Sequence, residues 1–171
     1  FTKYDDRIFF DEYTQKIYAS GGMYYNDQPI ELLINELEEV KDLKYDAWKV
    51  RPPIPRNLSH IERIKSPPKF DIRKFLEFIT KIKQLIDSNF KLMIDFGCRI
   101  SNLTDLEYIL DFCSDYEIFF VEEPVERDIS KYKKIKNNSK VNIAFGEHLH
   151  TNSQIEKWIS IKNFSIYQPD V

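Results

Sequence analysis

Residues 118–124 read Ile-Phe-Phe-Val-Glu-Glu-Pro, a run of four apolar residues that closes on two carboxylates and a proline. Ile118–Val121 has the composition of a strand covered on both faces, as strands of parallel sheets are. An acid at the end of such a strand must leave the core for a polar site, and the same ending recurs twice. "KLMID" (91–95) finishes in Asp95, and "VNIAFGE" (141–147) finishes in Glu147. Asp95 and Glu122 are 27 residues apart and Glu122 and Glu147 are 25 apart, about the length of one strand–helix unit each time.

The segments between these strands have helical periodicity. Residues 71–89 place Phe75, Phe78, Ile79, Ile82 and Ile86 on one face, with Asp71 positioned as N-cap. Residues 29–43 repeat the pattern with Ile30, Leu33, Ile34, Leu37 and Val40. Further helices are expected at 103–113, capped by Ser101, Asn102 or Thr104, at 129–135 and at 153–161. Additional strands are expected at "KIYAS" (16–20), which runs into the turn Gly21-Gly22, at "DAWKVR" (46–51) and at "FSIYQPD" (164–170). Strand and helix in alternation give an α/β fold with a parallel sheet built from right-handed crossovers. Both an open doubly wound sheet and a (β/α)₈ barrel fit that pattern.

Bulk properties narrow the class. The chain has 171 residues, 42% hydrophobic and 15% aromatic, enough for one domain with its own core. Its 25 basic and 28 acidic residues leave a net charge of −3, which gives no electrostatic case for a nucleic-acid partner. No apolar run reaches membrane-spanning length and no signal-peptide core opens the chain, so no membrane partner and a cytoplasmic location are expected. Cys98 and Cys113 lack metal-type spacing and are read as free, reduced thiols. Phe1 at one end and a strand-like "IYQPDV" at the other read as the ends of a piece of a longer barrel.

If the strands ending in Asp95, Glu122 and Glu147 are neighbours, the three acids converge at the C-terminal edge of the sheet, where barrel enzymes keep their active sites. Bare carboxylates so close raise one another's pKa values, and a hard divalent cation with oxygen-only ligands, Mg²⁺ above all, removes the conflict. Taken singly, each acid reads equally well as a helix cap; the matched spacing favours a joint role. Glu123 differs from Glu122 because adjacent strand residues face opposite sides, which puts it outward or along the rim.

Five motifs in order, "KVR" (49–51), "IDFGCR" (94–99), "VEEP" (121–124), "IAFGEHLHT" (143–151) and "IYQPDV" (166–171), resemble the enolase superfamily. The likeness is to its mandelate racemase/muconate lactonizing branch, most of all to acid-sugar dehydratases such as galactonate and rhamnonate dehydratases, and it covers nearly the whole chain. It implies a modified (β/α)₈ barrel of which 1–171 carries strands one to six, without the N-terminal capping domain and the last strands. It also implies that Asp95, Glu122 and Glu147 bind Mg²⁺, which stabilises the enediolate formed when the proton beside a substrate carboxylate is removed. Loss of a neighbouring hydroxyl then gives a 2-keto-3-deoxy acid. The implied partners are a small-molecule carboxylate, a sugar acid, and further copies of the full protein in a homo-oligomer.

The chain departs from the family at its acid/base positions. The family's Lys-x-Lys is Lys49-x-Arg51 here, and an arginine suits a clamp on the substrate carboxylate better than a base. Lys49 is a base only if its pKa is depressed by its neighbours. Gly97 stands where relatives carry Asn or His two residues after the metal aspartate, so no general acid comes from that position. Arg99 is a lesser candidate for reaching the site. Asp170 matches the aspartate that orients a histidine on the following strand; His148, in a segment that resembles the "GEH" of the dehydratases, and Ser20, at the end of strand one, are candidates for substrate contact. His150 reads as surface and His60 as a loop residue, while "RPPIPR" (51–56) reads as a rigid strand exit rather than a polyproline ligand. The alternatives are a racemase, epimerase or cycloisomerase of the same superfamily, a fragment that only binds metal, and, more remotely, a two-carboxylate glycosidase.

Overall fold

The computed structural model describes residues 17–54, 71–135, 140–161 and 165–168. Among the described residues, six parallel strands alternate with five helices: β1 (Ala19–Ser20), α1 (Glu31–Asp42), β2 (Ala47–Val50), α2 (Ile72–Leu85), β3 (Lys91–Asp95), α3 (Leu103–Asp115), β4 (Phe120–Glu122), α4 (Ile129–Lys134), β5 (Asn142–Phe145), α5 (Asn152–Ile159) and β6 (Ile166–Tyr167). They form one sheet in the order β1-β2-β3-β4-β5-β6. That order decides between the two architectures the sequence permits. A doubly wound sheet reverses its strand order at a switch point, whereas strictly sequential parallel neighbours wind in one direction, as in a barrel wall.

Side-chain alternation along the strands divides the apolar residues into two sets. Trp48 and Val50, Leu92 and Ile94, Val121, and Ile143 and Phe145 belong to a large core shared with the helices. Ala47, Met93, Phe120 and Ala144 form a separate small cluster, with Ile166 packed against it. The register pairs Met93 with Phe120, and Glu122 with Ala144, so these residues share the sheet's other face. Two cores on opposite faces of one parallel sheet are what a barrel wall requires, an inner layer and an outer one under the helices.

The helices begin where the sequence provides caps. Asp71 accepts the Lys74 N–H at 3.2 Å, Asn102 the Asp105 N–H at 2.8 Å and Asp128 the Ser130 N–H at 2.6 Å. At α5, Thr151 and Gln154 form a reciprocal capping box, so that helix starts at Asn152. Phe75, Phe78, Ile79 and Ile82 are the buried face of α2, as the periodicity predicts, while Ile86 is the residue that ends the helix and is only half-buried. At Gly146 (φ +130°) a Cβ would lie 3.3 Å from the backbone of Gln168, so glycine permits both the left-handed turn out of β5 and the close approach of β6. Both cysteines are free thiols. No helix among the described residues is long and apolar enough to cross a membrane.

Phe78 is fully buried and packs on Tyr24 with ring centroids 5.4 Å apart. Phe78→Ala is expected to cost on the order of 3–5 kcal/mol in urea unfolding, whereas Tyr108→Ala, on the exposed side of α3, should shift the midpoint little.

Candidate active site

The inner face of the sheet changes character toward its C-terminal edge. Two residues beyond Ala47, Met93 and Phe120, on the same face, come Lys49, Asp95 and Glu122. Asp95 and Glu122 are direct register partners on adjacent strands, only 5% and 2% exposed. Lys49, 7% exposed, donates from Nζ to Glu122 Oε2 at 2.6 Å. Arg51 donates from Nε to Asp95 Oδ2 at 2.7 Å, and the Gly97 N–H donates to Asp95 Oδ1 at 2.9 Å. Two buried anions are thus each matched by a cation from β2 or its exit, the condition under which buried charge is tolerated.

These neighbours set the protonation of the pair. Burial pushes the Glu122 carboxyl up; the Lys49 hydrogen bond opposes this, and the charges of Asp95 and Glu147 add to the rise. Burial alone would lower Lys49, but its hydrogen bond to Glu122 and that residue's charge outweigh it, with Tyr18 and Asp95 contributing, and its pKa is raised. Lys49 also lies 5.5 Å from the centroid of the Tyr18 ring. Lys49 is thus the counter-ion of Glu122 in this structure.

Glu147 is placed differently from its two supposed partners. It lies in the turn after β5, with a side chain 42% exposed, and its Oε1 is 3.0 Å from His148 Nε2 and 3.5 Å from Arg127 Nη2. Its charge reaches Glu122, but its carboxylate clusters with Glu123 and His148, with one ligand atom from each within 4.8 Å of the others. Arg127 explains the displacement, because its guanidinium attracts both Glu123 and Glu147. Glu123 is not a rim residue. It does face away from Glu122, but into the protein, where it is 1% exposed and receives both Nε and Nη2 of Arg127 and the thiol of Cys98 at 3.4 Å. Its φ of +38° breaks the strand there. The sequence reading missed Arg127, whose four-residue spacing from Glu123 was the available signal.

The remaining candidates are distributed around this edge. Ser20 is exposed at the end of β1, in register with Lys49. His148 is exposed and touches Glu147 rather than the inner face. Arg99 donates from Nη1 to the Pro52 carbonyl at 2.6 Å. A Cβ on Gly97 would stand 3.8 Å from Arg99 Nε and 3.9 Å from Asp95 Oδ1, so the missing side chain leaves both groups facing the same bare backbone. Asp170 and His60 lie outside the described residues.

The donor set suits a hard cation. Asp95 and Glu122 offer only oxygen, stand side by side, and carry charge that burial penalises, all of which favour a divalent ion over a soft-ligand metal. Glu123, Glu147 and His148 form a second candidate group, with Arg127 on both oxygens of Glu123 as Arg51 and the Gly97 N–H are on those of Asp95.

Known proteins agree with the architecture. The pattern of the family described as Enolase C-terminal domain-like matches residues 33–171, and the chain belongs to that family. No curated protein sequence matches it. Among solved structures it is similar to a racemase from Streptomyces coelicolor A3(2) with bound magnesium, with a TM-score of 0.72, 17% identity, and 91% of this chain against 41% of that one covered. It is also similar to the 3,6-anhydro-D-galactonate cycloisomerase of Zobellia galactanivorans (TM-score 0.71, 22% identity, 91% and 38% covered). A third is the L-talarate dehydratase of Polaromonas sp. JS666 complexed with Mg and L-glucarate (TM-score 0.70, 14% identity, 92% and 40% covered). At these identities the likeness is one of fold, and the chain spans about two fifths of the length of each.

Two outcomes test this geometry. Arg127→Met strands the buried Glu123 carboxylate and should cost about 3 kcal/mol in chemical denaturation, most of it recovered when Glu123→Gln is added. Burial and the nearby Glu123 charge push the Cys98 thiol up to about 12, and burial raises Cys113 as well. Neither cysteine should therefore be alkylated by iodoacetamide at pH 7.5 in the folded protein, and both should be in denaturant, as read by mass spectrometry.

Proposed function

We propose that this chain contributes the metal-binding half of an Mg²⁺-dependent dehydratase acting on a sugar acid, an aldonate or aldarate. The observation that carries the reading is the pair of buried, register-matched carboxylates, Asp95 and Glu122, each neutralised from β2 and its exit. In this reading an N-terminal capping domain and further barrel strands complete the enzyme, which assembles as a homo-oligomer.

Asp95 and Glu122, with Glu147 as third ligand, would hold the ion. When bound, Mg²⁺ supplies a Lewis acid for the negative charge that builds on the substrate carboxylate as the adjacent proton leaves. Lys49 and Arg51 are fixed cations beside that charge. Lys49 holds Glu122 ionised and in place, and Arg51 does the same for Asp95 while presenting the rest of its guanidinium to the substrate side. Ser20, at the neighbouring strand end, and His148, beside Glu147, contact substrate hydroxyls. With Lys49 engaged by Glu122, the proton acceptor is assigned to the histidine that the aspartate matching Asp170 orients in relatives.

Gly97 favours a second reading. Dehydration needs an acid for the departing hydroxyl, and this position provides none, so a racemase, epimerase or cycloisomerase that shares the first step is the alternative. A panel of aldonic and aldaric acids, given to the full-length protein with Mg²⁺, separates the two. Release of 2-keto acid is expected. Exchange of the C2 proton with deuterated solvent and no keto acid would favour the alternative, and neither outcome would sink both. Asp95→Asn should lower kcat/KM roughly 1000-fold, as the loss of several kcal/mol of charge stabilisation dictates, and remove the Mg²⁺ heat in calorimetry.

A further inference from the structure

Glu147 stands between two centres of charge. Its Oε1 lies 3.5 Å from Arg127 Nη2 and 3.0 Å from His148 Nε2. Its charge acts on Arg127 and also on Glu122, at the inner pair. The backbone on either side of Arg127 is fixed. Val125 pairs with Ile100, whose N–H donates to the Pro124 carbonyl at 3.0 Å, and Asp128 caps α4 immediately after the arginine. Arg127 Nε donates to the two Glu123 oxygens at 3.1 and 3.0 Å, and Nη2 donates to Glu123 Oε2 as well.

The two attachments of this guanidinium are unequal. Toward Glu123 it makes a forked, charge-assisted contact with a residue only 1% exposed, whose charge would be stranded without it. Toward Glu147 it makes a single contact, at 3.5 Å, with a side chain 42% exposed. An ion pair of that kind is weak, because water screens it and long side chains lose freedom to keep it. Arg127 therefore stays with Glu123, and Glu147 is the partner that can leave. A divalent cation on Asp95 and Glu122 has twice the charge of the guanidinium and favours carboxylate oxygen, so it draws on the same carboxylate. Sharing Glu147 would bring ion and guanidinium close together, like charge against like.

We infer that Arg127 competes with the bound cation for Glu147, as a positioning residue that sets how tightly the inner pair holds its ion. The inference rests on the metal reading of Asp95, Glu122 and Glu147 above. Titration of the full-length protein with Mn²⁺, an ion of the same oxygen-ligand class as Mg²⁺, followed by electron paramagnetic resonance, tests it. Every variant carries Glu123→Gln, so that loss of Arg127 strands no buried charge. On that background Arg127→Met should tighten Mn²⁺ binding roughly two- to fivefold, the range of an exposed ion pair, and Arg127→Lys should fall between. Adding Glu147→Gln, which keeps one oxygen for the ion, should weaken binding and abolish the effect of Arg127, because the carboxylate in contest is gone. The same tightening with and without Glu147 would reduce Arg127 to a distant positive charge. Weaker binding in Arg127→Met would make it a support for the ligand, and either result overturns the competition. Asp95→Asn should abolish Mn²⁺ binding in every variant; binding that survives it puts the ion beside Glu147 and His148 and also overturns the competition. Coupling of Arg127 to Glu147 without turnover or C2 exchange of any sugar acid would uphold the competition and reject the enzymatic reading. Turnover without that coupling would do the reverse, and no Mn²⁺ binding at all would reject both.

Discussion

Two carboxylates side by side on neighbouring strands, almost wholly removed from water, are the constraint around which the rest of this structure is arranged. Asp95 and Glu122 could not both remain ionised at that depth without compensation, and the repulsion between them adds to the desolvation cost. The sheet compensates from the adjacent strand. Lys49 reaches Glu122 and Arg51 reaches Asp95, two positions apart on one face of the chain leaving β2. The lysine of that strand is thereby engaged as the counter-ion of a buried glutamate.

The two glutamates of "VEEP" solve separate problems. Glu122 continues the inward face of β4 toward the polar edge. Glu123, one residue on, turns under the outer core, where Arg127 and Cys98 receive it. Arg127 also extends to Glu147, so the outward glutamate and the turn after β5 are linked through one guanidinium. That link gives Glu147 its place beside His148 instead of beside Asp95. The edge therefore has two centres of charge, a buried pair facing inward and an Arg127-centred group toward β5.

Much of this was legible in the residues. The α2 face, the end of β3 at Asp95 and the caps Asp71 and Asn102 follow from periodicity and local hydrogen bonding, which act over a few residues and leave a direct trace in the chain. The adjacency of Asp95 and Glu122 follows from matched spacing once the strands are parallel neighbours. The pairing of Lys49 with Glu122 joins residues 73 positions apart, and nothing local specifies it. The burial of Glu123 was missed for the same reason: alternation gives the direction of a side chain, but not what lies in that direction.

Strand and helix order, the polar ends of three strands, and the absence of a side chain at position 97 were determined by the sequence alone, because each depends on short-range pattern or on residue identity. Tertiary structure decided the rest. It chose the sequential strand order over a doubly wound sheet, paired Lys49 with Glu122, and set Arg99 in the wall of a cavity. Each of these depends on which distant groups share a low-dielectric space, and the energy of charges in such a space is set by their neighbours in three dimensions.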